Sequence, residues 1–234
     1  MKRPILCIKK KDFDTLDKLG KIIDLPSTSL HWIERELAET DESYLQLIPY
    51  VSIVRVEAAN DYSVFKYTRL KGGQEVRLHN NTSIGIGGHI DYTPEYDSMS
   101  LEEILIDNMT KELSEELSFW GIVQCISGPV ETVLPDDMAK DLFKKALVKN
   151  EESIFPYNKF LIFDNSNAVG RVHLGIPIML MLNYEENTDI IVNKNEEDKL
   201  RGCFVRVSDP TFENGFETWS EIMNKYLMKE FNIR

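Results

Sequence analysis

Apolar positions recur along this chain with two periods, and the change from one to the other marks the elements. Residues 5–8 are a short apolar run between a proline and three lysines, which predicts a strand. Residues 12–23, opening on Asp12 or Asp14 and stopped by Pro26, predict a helix; residues 30–37, opening on Ser27 or Ser29, predict a second. Residues 50–56 alternate apolar and polar side chains and predict a strand, as do residues 62–69, followed by the turn Lys71-Gly72-Gly73. Residues 83–86 predict a strand that runs into two glycines, and residues 91–100 a polar loop around Pro94. Ser100 reads as an N-cap with Glu103 as its capping-box partner, opening a helix to about Leu117. Strands are predicted over 120–126, 130–133, 160–163, 170–182 and 202–207, and helices over 136–148 and 219–231. Residues 183–199 are polar and charged and predict a loop.

Helices and strands therefore mix without strict alternation, which defines an α/β (α+β) class. Residues 1–40 read as an N-terminal extension packed on a core domain of residues 41–234. The sequence shows no internal repeat and no glycine-rich strand–helix turn of the P-loop or dinucleotide kind.

Charge narrows the partners. The 234 residues carry 39 acidic against 27 basic side chains, a net charge of −12, which disfavours nucleic acid as a partner. A small anion held by a few local cations and a metal remains compatible with it. The apolar stretch at residues 4–8 is too short for a signal peptide, and the longest apolar run, 174–182, contains Pro177 and cannot span a bilayer. The three cysteines, Cys7, Cys125 and Cys203, are far apart, fit no metal pair, and suit buried thiols in a reducing cytoplasm.

Chemistry concentrates in Lys111-Glu112-Leu113-Ser114-Glu115-Glu116-Leu117. Three carboxylates at i, i+3 and i+4 crowd one side of a helix and repel by a few tenths of a kcal/mol per pair. A hard divalent cation reverses the sign, because Mg²⁺ binds carboxylate oxygens. Leu101, Leu105 and Met109 share a stripe with Glu112 and Glu116, so these acids continue the apolar face, where an ordinary solvated charge run would oppose it.

Gly88, Glu103, Lys111, Glu112, Leu113, Glu115, Glu116 and Phe119 resemble the Nudix box, G-x5-E-x7-R-E-U-x-E-E-x-G-U with U apolar. Three departures stand out: Lys111 replaces Arg, Ser118 replaces Gly, and fourteen residues separate Gly88 from Glu103, a nine-residue insertion against the pattern's five. The insertion resembles the branch of predicted Nudix phosphoesterases with a Gly-Gly-His-Ile signature, here Gly87-Gly88-His89-Ile90. Residues 46–51, Gly73-x-Glu75-x-Arg77-Leu78-His79, residues 83–89, Val169-Gly170-Arg171-Val172-His173-Leu174-Gly175 and Phe216-Glu217-x-Trp219-Ser220 match further blocks of that branch, so the likeness covers about residues 40–230.

The resemblance implies an α/β/α sandwich with a mixed sheet and the box, at 87–119, forming loop–helix–loop. It implies hydrolysis of a pyrophosphate bond in a nucleoside diphosphate-linked small molecule, with Mg²⁺ or Mn²⁺ as cofactor. Carried over residue by residue, Glu112, Glu115 and Glu116 would ligate the metal, with the carbonyl of Gly88. Glu112 or Glu116 would take the water's proton, and both stay open. Glu103 would orient Lys111, which would steady the glutamates without the planar fork of Arg; equally, Glu103 could simply cap its helix. Arg77, His89 and Arg171 are the candidate substrate contacts. Lys71 and Arg69 are open to a phosphate contact or to plain strand-edge solubility, and His173 to a place facing the substrate or to a hydrogen-bonded core position. A further acid could come from Glu185, Glu186, Glu196 or Glu197, with Glu186 the nominal choice. The rival readings are a catalytically weak nucleotide-binding or sensor module, and an unrelated acidic protein with a chance motif. A homodimer is the expectation for any self-association.

Overall fold

The structure, a computed structural model, describes residues 3–13, 25, 27–59, 61–71, 79–125, 128–133, 161–183, 189–192 and 196–230. The helix expected over 136–148, most of that over 12–23, Arg77, Glu185 and Glu186 lie outside the described residues. The chain divides into two compact units, Met1–Tyr50 with Gly87–Met109 and Phe155–Ile178, and Val51–Ile86 with Thr110–Ile154 and Met179–Arg234. It is an α+β fold whose described ladder registers are all antiparallel; a parallel contact is the bridge between Thr82 and Phe216.

In the first unit, β1 (Ile5–Lys9) lies between β2 (Leu30–Ile33) and the first half of β3 (Tyr44–Ala58). Its registers pair Cys7 with His31 on one side and with Gln46 on the other. Ile5, Cys7 and Ala38 form a buried cluster against Ile33 and Tyr44. Burial pushes the Cys7 thiol up to about 12, which leaves it protonated and unreactive. The helix predicted over 30–37 is corrected: residues 30–33 are strand β2, and only α1 (Arg35–Ala38) is helical. The i, i+3, i+7 spacing of Leu30, Ile33 and Leu37 imitates a helix, but the β1 ladder takes up the backbone groups. Trp32 in turn packs edge-on to Tyr92 and stacks on Tyr96, with ring centroids 5.1 and 5.9 Å away. Tertiary pairing overrides local period here.

The second unit carries the other half of β3, which forms a hairpin with β4 (Asp61–Arg69). β4 also pairs with β5 (Thr82–Ser83) and, through Ser63 to Arg69, with the whole of β10 (Leu200–Arg206). α2 (Leu101–Glu116) belongs to both units and passes directly into β6 (Leu117–Cys125), which pairs with β7 (Gly128–Val133) and β9 (Asp189–Val192). The loop expected after the helix is thus a strand, and the loop expected over 183–199 contains one. β8 (His173–Asn183) starts three residues later than predicted, because Gly170–Val172 is a 3-10 turn. α3 (Thr218–Glu230) buries Ser220, Met223, Asn224 and Leu227, spaced i, i+3, i+4 and i+7.

α3 also locks the strand ahead of the glycines. The Ser220 hydroxyl accepts from the Ile84 amide at 3.1 Å, and Ser83 donates to Glu217 at 2.7 Å. Lys66 donates to the carbonyls of Thr211, Phe212 and Asn214, fixing the approach to the helix.

Candidate functional site

The start of α2 is built as its sequence predicts. The Ser100 amide and hydroxyl both donate to Glu103 Oε2 at 2.8 Å, and the Glu103 amide donates back to Ser100 Oγ at 3.3 Å. Two helix-start amides are satisfied reciprocally, and the cap holds the Glu103 carboxyl below its ordinary range. Ser100→Ala is expected to lower stability by about 1 kcal/mol without changing the metal affinity of the acid triplet. Urea titration beside a metal titration checks this, and a matching loss of metal affinity would place the cap within the site.

At the other end of α2 the three carboxylates differ. Glu115 is exposed and faces Lys111, whose Nζ is 3.9 Å away and itself half exposed. Glu112 is half-buried. Glu116 lies on the buried side of the helix: its Oε2 is shielded from solvent and has no hydrogen-bond partner among the described residues. Burial raises its carboxyl to about 7; Arg69 pulls the value down, while Glu112, Glu196 and Glu115 push it further up.

Arg69 is the last residue of β4 and shares a face with Tyr67. Its Nη2 donates to the Tyr67 hydroxyl at 3.0 Å, its guanidinium lies 5.4 Å from that ring's centre, and the hydroxyl donates to the Gly85 carbonyl at 2.8 Å. The Leu70 amide donates to the Lys199 carbonyl at 2.6 Å, and Leu200 pairs with Arg69. This brings the 196–199 turn to the same strand end, with Glu196 held by Lys199 Nζ at 2.8 Å. Arg69 and Glu196 were both candidates in the sequence, but nothing there assigned either of them to the surroundings of Glu116. Alternation put Tyr67 and Arg69 on one face, a signal that was present. Nothing local distinguished Glu196 from the other loop acids.

The donor set fits a hard divalent cation: an orphaned, buried carboxylate oxygen with further carboxylates acting on it electrostatically. Among the described residues, however, no three His, Cys, Asp or Glu side chains already form a metal-holding group. The fit therefore rests on Glu116 and its field, and the neighbouring acids must turn toward a bound ion.

Gly88 and His89 lie in the first unit, with Gly87 against Pro49. His89 Nε2 is 3.2 Å from His173 Nε2, and His173 Nδ1 is 2.7 Å from the Val169 carbonyl. Burial, helped by Arg35 and His173, lowers His89 to about 3, so it is neutral at ordinary pH. Arg171 is half-exposed, sits in the 3-10 turn and pairs with Glu42 at 2.7 Å. A strand over 170–182 would place Arg171 and His173 on one face; residue 171 lies in the 3-10 turn instead, so that alternation does not hold.

A crystal structure of Tm1382, a proposed Nudix hydrolase, superposes with a TM-score of 0.61 over 97% of this chain and 99% of that one, at 22% identity. A Nudix hydrolase from Alicyclobacillus acidocaldarius aligns at a TM-score of 0.38 and 14% identity, over 69% of this chain and 78% of that one, too remote to argue from. No protein-family model matches. The architecture is thus the Nudix fold. Protein YmaB of Bacillus subtilis (strain 168) is 32% identical over 189 residues, spanning 80% of this chain and 72% of YmaB. The chain belongs to the family of protein YmaB. Among the described residues no helix is long and apolar enough to cross a membrane.

Proposed function

We propose that this chain is a Nudix-type hydrolase, dependent on Mg²⁺ or Mn²⁺, that splits a phosphoanhydride bond in a nucleoside diphosphate-linked small molecule by attack of water. One observation carries the reading: the buried Glu116 carboxylate, with an oxygen that no hydrogen bond from the described residues satisfies. A carboxylate so placed is unfavourable unless its ionised form meets a cation. A bound divalent ion would polarise the phosphoryl oxygens and acidify a water.

Glu112, Glu115 and Glu116 are the proposed holders of that ion, with the Gly88 carbonyl. Either Glu112 or Glu116 accepts the proton of the attacking water. Arg69, steadied by Tyr67, offsets the accumulated negative charge at Glu116. Lys111 steers Glu115, and Glu103 acts through the helix start it caps. Arg77 and Arg171 are proposed for the substrate phosphates, Arg171 exchanging Glu42 for its ligand. His89 is a neutral imidazole and supplies no charge to a phosphate. The buried-thiol expectation holds for Cys7 and fails for Cys203, which is exposed; both are free, in keeping with a reducing, cytoplasmic setting.

A binding or sensor module is the second reading, favoured by the exposed Lys111 and by the lack of a ready three-ligand group among the described residues. One experiment separates the two. Nucleoside triphosphates, dinucleoside polyphosphates, nucleotide sugars and ADP-ribose are incubated with Mg²⁺, with Mn²⁺ and with chelator, and phosphate-bearing products are measured. Metal-dependent turnover of one class is expected. Ligand-induced thermal stabilisation without product across the panel would replace the hydrolase by the module.

A further inference from the structure

We propose that His89 and His173 form a binding site for a borderline transition-metal cation of the Zn²⁺ class, chemically separate from the oxygen donors of α2. Both imidazoles lie in the first unit, as do Val169, Asn108 and Arg35.

Geometry carries the case. Two imidazole nitrogens on one tetrahedral zinc, each about 2.05 Å from it, stand about 3.3 Å apart. The two Nε2 atoms are 3.2 Å apart. With both rings aimed at that common point, their centroids would be about 5.2 Å apart, against about 5.5 Å for rings aimed straight at each other. The observed centroid distance is 5.3 Å, with the ring planes at 65°. That distance lies within about 0.2 Å of both values, so the match to a shared ion rests on the Nε2–Nε2 separation.

The tautomer of His173 is set for ligation. Its Nδ1 faces the Val169 carbonyl at 2.7 Å, so that nitrogen carries the proton and Nε2 presents its lone pair. A ring nitrogen donating to a backbone carbonyl is the usual outer support of a metal-bound histidine. His89 is held through its backbone, whose carbonyl accepts from Asn108 Nδ2 at 3.2 Å. In the metal-free pair one Nε2–H donates to the other Nε2. Ligation moves the His89 proton from Nε2 to Nδ1, so the ion replaces a shared proton without a net change of charge on the rings.

The surroundings admit a cation. Both side chains are half-buried. Arg35, the nearby positive charge acting on His89, is paired with Glu39 at 3.0 Å. Imidazole selects Zn²⁺, Ni²⁺ or Cu²⁺, whereas Mg²⁺ prefers oxygen. Two water molecules complete a four-coordinate shell. Occupancy would tie residue 89 to the start of β8, 84 positions further along the chain.

The test uses the full chain carrying Cys203→Ser, so that the exposed thiol adds no ligand. Zn²⁺ is titrated against a chromophoric chelator in excess Mg²⁺, for this protein and for its His89→Gln and His173→Gln forms. One equivalent of Zn²⁺ is expected to bind, and each variant to bind about tenfold more weakly or worse. Imidazole ¹⁵N spectra of the parent protein, which do not depend on a variant folding, should show both Nε2 resonances shift on Zn²⁺ addition while His173 Nδ1 stays protonated. Unchanged affinity in either variant, or Nε2 resonances that ignore Zn²⁺, overturns the site and leaves a hydrogen-bonded histidine pair. Neither result bears on the Mg²⁺-dependent turnover assay.

Discussion

Glu116→Gln is expected to abolish metal-dependent turnover, by about 10²–10⁴-fold, and at the same time to stabilise the metal-free protein above neutral pH. The opposed signs follow from one buried oxygen. Burial raises the folded-state value of Glu116 from the ordinary 4.5 to about 7. Between those two values the folded chain holds a proton that the unfolded chain has released. The protonated carboxyl's advantage is therefore complete below about pH 4.5 and lost as pH climbs to 7. The loss is on the order of 3 kcal/mol. Gln keeps the shape and needs no proton, so urea midpoints of the variant and the parent should coincide at pH 4.5 and separate at pH 8 in the variant's favour. Adding Mg²⁺ at pH 8 should stabilise the parent and not the variant. If the variant gains stability but keeps turnover, Glu116 is a strained core carboxylate and the proposed mechanism fails.

That carboxylate was legible in advance because helix phase is robust. Ser100 and Glu103 fixed where α2 begins, and 3.6 residues per turn then put Glu116 in line with Leu101, Leu105 and Met109, all buried. The same arithmetic divided the triplet: Glu115 falls on the exposed side, where Lys111 meets it. The inward positive charge comes instead from β4, forty-seven residues earlier in the chain, and no local pattern connects Arg69 to Glu116. Glu196 was hidden for the same reason, since its place is set by the β4–β10 ladder and not by its neighbours in sequence.

Errors in the element reading have a common origin as well. In β2 and β9, short runs of bulky apolar residues were set among charges: Trp32 and Ile33 beside Glu34 and Arg35, and Ile190, Ile191 and Val192 within an acidic stretch. Each becomes a strand because a partner edge is available, β1 for the first and β6 for the second. Edges are created by the rest of the chain, so four-residue strands are invisible to a window that sees only their own composition.

Gly87→Ala should be the most damaging small substitution in the glycine pair. A Cβ at residue 87 would stand 2.0 Å from the Pro49 carbonyl oxygen and 3.3 Å from the Ile48 side chain. The oxygen belongs to backbone inside β3, which cannot swing aside as a side-chain tip can. The chain ahead of Gly87 is pinned as well, since Ile86 and Val51 exchange amide–carbonyl bonds of 2.8 and 2.9 Å. Relief requires pulling the Gly-Gly-His segment off the strand, at a cost of at least about 3 kcal/mol. A urea midpoint within the error of the parent would show that the segment can move away freely and that the close approach constrains nothing. The expected collapse would instead assign the first glycine of the signature to packing. Loss of activity in Gly87→Ala would then be no measure of metal binding, and the proposed carbonyl ligand at Gly88 would have to be examined by metal affinity in a protein that retains Gly87.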